Sequence, residues 1–113
     1  MTDKELLKLA AKATGIEGRY ASLDEFPDWM TVHDGEGVYY TSSQAWNPLT
    51  DDGDALRLAV RLLFEIDMGR GCIAIRHSTG FKILEAFNHD PYAATRRAIV
   101  RAAAEIGRNQ YDK

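Results

Sequence analysis

Apolar and polar positions recur with different periods along this chain, and each change of period marks an element. From Thr2 to about Thr14, Leu6, Leu9, Ala10 and Ala13 fall on one face of a helix that Gly15 is placed to end. Thr2 and Glu5 have the spacing of a capping box, in which each side chain satisfies a free backbone N–H. Residues 15–28 mix two glycines and a proline with varied polarity and read as a loop with a helical turn at 22–26. Two β-prone runs follow, 29–33 and 38–42, separated by Asp34-Gly35-Glu36-Gly37, which is hairpin punctuation. Residues 44–50 connect them to a second helix.

That helix is predicted from about Asp52 to Met68, closed by Gly69 and Gly71. Its polar stripe is only Arg57, Arg61 and Glu65. Leu56, Ala59, Val60, Leu62, Leu63, Phe64 and Ile66 occupy most of the remaining circumference. A helix this widely apolar is expected to be covered on more than one side and to form the centre of the fold. A second hairpin, 71–76 with 81–87, turns at His77-Ser78-Thr79-Gly80. Apolar residues lie on both of its faces, which predicts cover on both sides. Asp90-Pro91 opens a third helix, with Asp as cap and Pro at the first helical position. Tyr92, Ile99, Ala102, Ala103 and Ile106 line one side of it, and Arg97, Arg101 and Arg108 lie nearly opposite. The polar tail, 107–113, is expected to fray.

The order is therefore α-ββ-α-ββ-α. It predicts a single α+β domain over residues 1–113, a small, mostly antiparallel sheet with helices packed on both faces, an α/β/α sandwich. Length and composition agree: 113 residues suit one core, and 45% apolar with 27% charged residues is the balance of a folded domain.

Charge and cysteine content narrow the function classes. A formal net charge of −3 argues against a protein devoted to coating nucleic acid. The charge is uneven, however: residues 1–50 hold 4 basic and 8 acidic side chains, and residues 91–113 hold 5 basic and 2 acidic. A local basic face is thus compatible with the acidic whole. Cys72 is the sole cysteine, which excludes an intramolecular disulfide and a cysteine-based zinc cluster. The opening MTDKELLKLA lacks the basic start and apolar run of a secretory signal, and no stretch is long enough to span a bilayer. A cytoplasmic protein without a membrane partner is expected.

The densest polar cluster is Thr50-Asp51-Asp52 with Asp54. A helix leaves its first N–H groups unpartnered, and its dipole favours negative charge there. Thr50 or Asp51 can cap, Asp52 and Asp54 sit in the first turn, Pro48 stiffens the approach, and Trp46 can pack back as a staple. A metal or phosphotransfer site would want further oxygen ligands, and the calcium-loop pattern ending in glutamate is absent. The helix-cap role is the expected one.

The same run supports a resemblance. Trp46-Asn47-Pro48, leading through Asp51 and Asp54 into an alanine- and leucine-rich helix, resembles the W-x-P or S-x-P lead of small bacteriophage and prophage proteins grouped as the phage ABA sandwich domain. Those sequences also end in a hairpin and an arginine- and alanine-rich helix, to which residues 92–106 are similar. The resemblance spans residues 28–106. It implies a sheet with helices on both faces and a phage or prophage origin, and it implies no activity.

Other candidate chemistry is sparse. His33, His77 and His89 lie at strand ends or turns without the spacing of a zinc motif. No G-x-S-x-G elbow occurs, Cys72 reads as a small core residue, and the glycines at 69–71 and 35–37 are turn glycines rather than a phosphate cradle. Arg97, Arg101 and Arg108, with Arg96 at the margin, form a helix face that could contact phosphates or simply be solvated. Tyr39 and Tyr40 point to opposite faces of their strand, and with Trp29 and Trp46 they make a candidate protein-binding patch, though at least one tryptophan belongs in the core. The reading these residues favour is a non-enzymatic phage or prophage accessory protein that binds a host or viral protein and needs no cofactor. The alternatives are nucleic-acid binding through the third helix and, behind it, a metal-dependent enzyme. Self-association through an edge strand or the tyrosines is a further option.

Overall fold

The computed structural model describes residues 2–15, 18–21, 38–41 and 44–110. Helix α1 covers Asp3–Thr14; the Thr2 hydroxyl accepts the Glu5 N–H at 3.2 Å, and Gly15 ends the helix in the left-handed region at φ 76°. Three short strands follow, β1 (Gly18–Ala21), β2 (Val38–Thr41) and β3 (Gln44–Trp46), paired antiparallel in the order β1-β2-β3. β2 matches the predicted run at 38–42. Its partners do not: Tyr20 pairs with Tyr39 and Tyr39 with Trp46, in segments that read as loop and connection. Strands of three or four residues are too short to show a period, so only the pairing reveals them. The expected strand at 29–33 lies outside the described residues.

Helix α2 is Asp52–Arg61, shorter than the apolar pattern predicts. The Leu63 N–H reaches the Val60 carbonyl at 3.2 Å, and the Phe64 N–H reaches Ala59 at 3.0 Å. These two bonds make a Schellman closure, in which glycine normally takes the left-handed position. Here Leu63 takes it, at φ 58°. With leucine in the stop position, the apolar periodicity runs on through the stop and hides it. The chain then enters β4 (Glu65–Met68), which pairs antiparallel with β5 (Cys72–Arg76), itself paired with β6 (Lys82–Ala86).

Helix α3, Pro91–Arg108, starts as its sequence predicts: Asp90 accepts the Ala93 N–H at 3.0 Å, with Pro91 at the first position. It then continues past Gly107, because that glycine is a contact rather than a stop. A Cβ on Gly107 would stand 2.0 Å from the Leu9 carbonyl oxygen, so only glycine admits α1 this closely. Asp3 meets Arg97, Leu9 meets Gly107, and Lys12 Nζ donates to the Gln110 carbonyl at 2.8 Å. The contacts advance in the same direction on both helices, so α1 and α3 run parallel.

The protein is thus a mixed α+β fold with helices packed against sheet, broadly in the expected order. Its centre differs from the expected one. α3, rather than α2, touches α1, α2, β5 and β6. Ala94, Ala98, Ala102, Ala103 and Ala104 are buried along it, and their small side chains let neighbours approach from several directions. Ile73 and Ile75 on β5 are fully buried beneath it, each stabilising the fold by about 1.5–3 kcal/mol. On the opposite face of this sheet, Glu65, Asp67, Cys72, Lys82, Leu84 and Ala86 are all exposed. Only the small Ala74 at its centre is buried there, so among the described residues the hairpin is covered mainly on one side, and Cys72 is a surface thiol rather than a core residue.

Candidate protein-binding surface

The aspartate cluster is resolved into separate local tasks. Asp51 is the N-cap of α2 and accepts the Asp54 N–H at 2.8 Å. Asp54 accepts the Asn47 N–H at 3.0 Å and pairs with Arg57 at 2.8 Å. Asp52 turns away to Arg96 at 2.7 Å. Thr50 is exposed and its hydroxyl lies 3.5 Å from the Asn47 carbonyl, so it takes no part in capping. Among the described residues, no three His, Cys, Asp or Glu side chains lie close enough to share a metal ion. His77 stacks on Phe81 with centroids 5.5 Å apart and meets the edge of Phe64; His89 occupies the β6–α3 turn at φ 78°. His33 lies outside the described residues.

The arginines of α3 do not form a free basic face. Arg96 ties α3 to the start of α2 through Asp52 and the Leu49 carbonyl at 2.8 Å. Arg97 pairs with Asp3 of α1 at 3.2 Å. Arg101 binds Glu85 on β6 and the Leu84 carbonyl at 3.2 Å, and Arg108 pairs with Glu105 one turn back. Each positive charge has a carboxylate beside it, which weakens any attraction for phosphate. A helical wheel cannot show this, since three of the four carboxylates come from other elements. A cleft of about 400 Å³ between the starts of the helices, lined by Asp3, Asn47, Glu85, Asp90 and Arg97, is likewise occupied by charges that already partner one another or a helix N–H.

One member of the expected aromatic patch lies in the core. Trp46 is 8% exposed and packs in the core with Leu6, Leu58 and Ile99, so it cannot meet a partner. Tyr39 and Tyr40 lie on β2, and Trp29 is outside the described residues.

Exposed apolar surface lies elsewhere. Of the seven large apolar side chains exposed among the described residues, five, Leu56 (60%), Val60 (64%), Leu63 (83%), Ile66 (38%) and Met68 (57%), come from α2, β4 and the turn between them, and the others are Leu84 on β6 and Tyr92. Leu56 and Val60 are spaced i, i+4 on one face of α2, and Leu63 follows in the closure beyond its end. Only Ala55, Leu58 and Ala59 of α2 turn into the core. Leu63 also rims a second cleft, about 560 Å³, with Glu65, Arg76, His77, Phe81 and Lys82. Tyr92, expected among the buried residues of α3, is 72% exposed at its N-terminal end. Sequence reasoning found these apolar positions on α2 but took them for core, because periodicity reports hydrophobicity and not what covers it.

Comparison with known proteins adds no relative. The chain matches no protein family, no characterised protein and no solved structure. Among the described residues no helix is long and apolar enough to cross a membrane. The surface itself therefore carries the functional argument.

Proposed function

We propose that this chain is a non-enzymatic accessory protein, of phage or prophage origin and working in the host cytoplasm, that acts by binding another protein through α2 and the turn into β4. The observation that carries this reading is Leu63. It is 83% exposed, and it holds a left-handed backbone conformation that costs a non-glycine residue about 1–2 kcal/mol. Glycine would relieve the strain and also remove an apolar side chain from water. A leucine that serves neither the backbone nor the core is accounted for by a partner's surface. Leu56 and Val60 add exposed apolar side chains on the helix just before it, and apolar anchors of this size are suited to the centre of an interface. The phage origin rests on the Trp46-to-Asp54 resemblance alone.

The test compares the wild-type protein with a Leu56→Glu/Val60→Glu variant as tagged baits in cells that encode the gene. Both positions are exposed, so the variant is expected to melt within a few degrees of wild type. A protein recovered in stoichiometric amount with wild type and lost with the variant supports the reading. Recovery of the same set of proteins by both baits refutes it.

A further inference from the structure

The two outer strands of the β4-β5-β6 sheet present different edges, and their hydrogen-bond phase can be read from the ladder. The Gly69 N–H donates to the Cys72 carbonyl at 2.9 Å, and the register runs on without a bulge from Met68↔Ile73 to Glu65↔Arg76. N–H and C=O direction alternates along an antiparallel strand. Glu65 and Asp67 therefore bond inward to β5, whereas Ile66 and Met68 turn both N–H and C=O outward. Among the described residues no other group meets those four backbone groups. Natural edge strands are blunted by short length, charged side chains, proline or a bulge; β4 is short and carries Glu65 and Asp67, but it has no lysine, proline or bulge.

The side chains bordering this edge define what would complement it. Glu65 and Asp67 project on the open face and are 72% and 59% exposed. They share the single guanidinium of Arg76, at 3.6 and 3.1 Å, which leaves one negative charge in excess at the rim. On the helix-facing side the rim is apolar, formed by Ile66 and Met68. A second copy pairing strand to strand would bring two Glu65/Asp67 rows together, and like charges across a strand pair are unfavourable.

We infer that the β4 edge takes an extended segment of a partner protein as a fourth strand, and that this segment alternates basic residues facing Glu65 and Asp67 with apolar residues continuing Ile66 and Met68. This deepens the protein-binding reading above and rests on it. Main-chain bonds to Ile66 and Met68 supply the attachment, and the alternation supplies the selectivity.

The test uses the full chain and fluorescein-labelled alternating valine–lysine and valine–glutamate peptides of equal length, followed by anisotropy. The valine–lysine peptide is expected to bind about tenfold or more tightly than the valine–glutamate one, with slowed hydrogen exchange at the Ile66 and Met68 amides. Met68→Pro removes an outward N–H and leaves the β5 ladder intact, since proline is tolerated where its nitrogen faces outward on an edge. It is expected to weaken valine–lysine binding about tenfold while β5 and β6 amides keep their protection. Equal binding of the two peptides, no binding of either, or binding unchanged by Met68→Pro would each overturn the inference. A dimer that forms in sedimentation and is abolished by Met68→Pro would overturn it in favour of a second copy. Failure here, with the α2 double variant still losing its partner, would remove the edge and leave the helix surface standing.

Discussion

The two edges of the β4-β5-β6 sheet were built from the same kind of strand and finished differently. On β6 the outward groups belong to Lys82, Leu84 and Ala86, because the Phe87 N–H bonds to the Gly71 carbonyl and fixes the alternation. The Leu84 carbonyl is met by Arg101, whose guanidinium also binds Glu85, so α3 reaches the middle of that edge. On β4 the outward groups belong to Ile66 and Met68, and no side chain reaches them among the described residues. The partner on the β6 edge is an arginine from a neighbouring helix, not anything in the strand itself. The lesson is that edge protection is a tertiary property: the β6 edge gains its arginine because α3 packs over β5 and β6, whereas α2, the helix preceding β4, packs on α3 through Ala55, Leu58 and Ala59.

The contrast can be broken first at the level of packing. Ile75 and Ile66 face each other across the β4–β5 pair, yet Ile75 is fully buried and Ile66 is 38% exposed. Ile75→Ala is expected to cost about 3–4 kcal/mol in urea unfolding, from lost burial and the cavity left behind, and Ile66→Ala under about 1 kcal/mol. Equal losses would mean that the β4 edge is covered after all.

A smaller effect separates the two arginines of the sheet. Arg101→Ala leaves Glu85, whose side chain is 18% exposed, without its cation and the Leu84 carbonyl without its donor. About 1–2 kcal/mol of destabilisation is expected. Arg76→Ala removes pairs to Glu65 and Asp67 that are largely in water, and about 0.5 kcal/mol or less should follow. If Arg76→Ala proved the costlier change, the β6 edge would owe little to α3.

The smallest expected effect has the opposite sign. Leu63→Gly relieves about 1–2 kcal/mol of left-handed strain and adds about 0.5–1 kcal/mol of unfolded-chain entropy cost, so a net gain of about 0.5 kcal/mol is expected in thermal unfolding. The same variant should bind its partner less well. A destabilised Leu63→Gly protein would show that the leucine serves the fold, and the functional argument built on it would fail.

Much of the local structure was legible along the chain. Thr2, Asp51 and Asp90 each cap a helix by accepting the N–H three residues on, and Gly15 closes α1. These devices use residues within a turn of one another, so sequence spacing determines them. β5, β6 and the β2 strand were legible for the same reason. The end of α2 was not, because a leucine stands where the closure normally takes glycine. β1 and β3 were not, because each exists only through β2. The exposed apolar side chains were not legible either: Trp46, expected in a surface patch, lies in the core, and Leu56 and Val60, expected in the core, are exposed.

What the amino-acid order determined by itself was therefore where helices begin, which strands turn back on each other, and that the chain folds as a mixed α+β protein. What only the tertiary structure decided was which apolar faces are covered, which arginines are already partnered, and which strand edge a helix arginine reaches. Capping and turn formation involve groups held together by the backbone. Cover and neutralisation depend on side chains brought together from distant segments, as with Arg96 and Asp52 or Gly107 and Leu9, and no local pattern records those meetings.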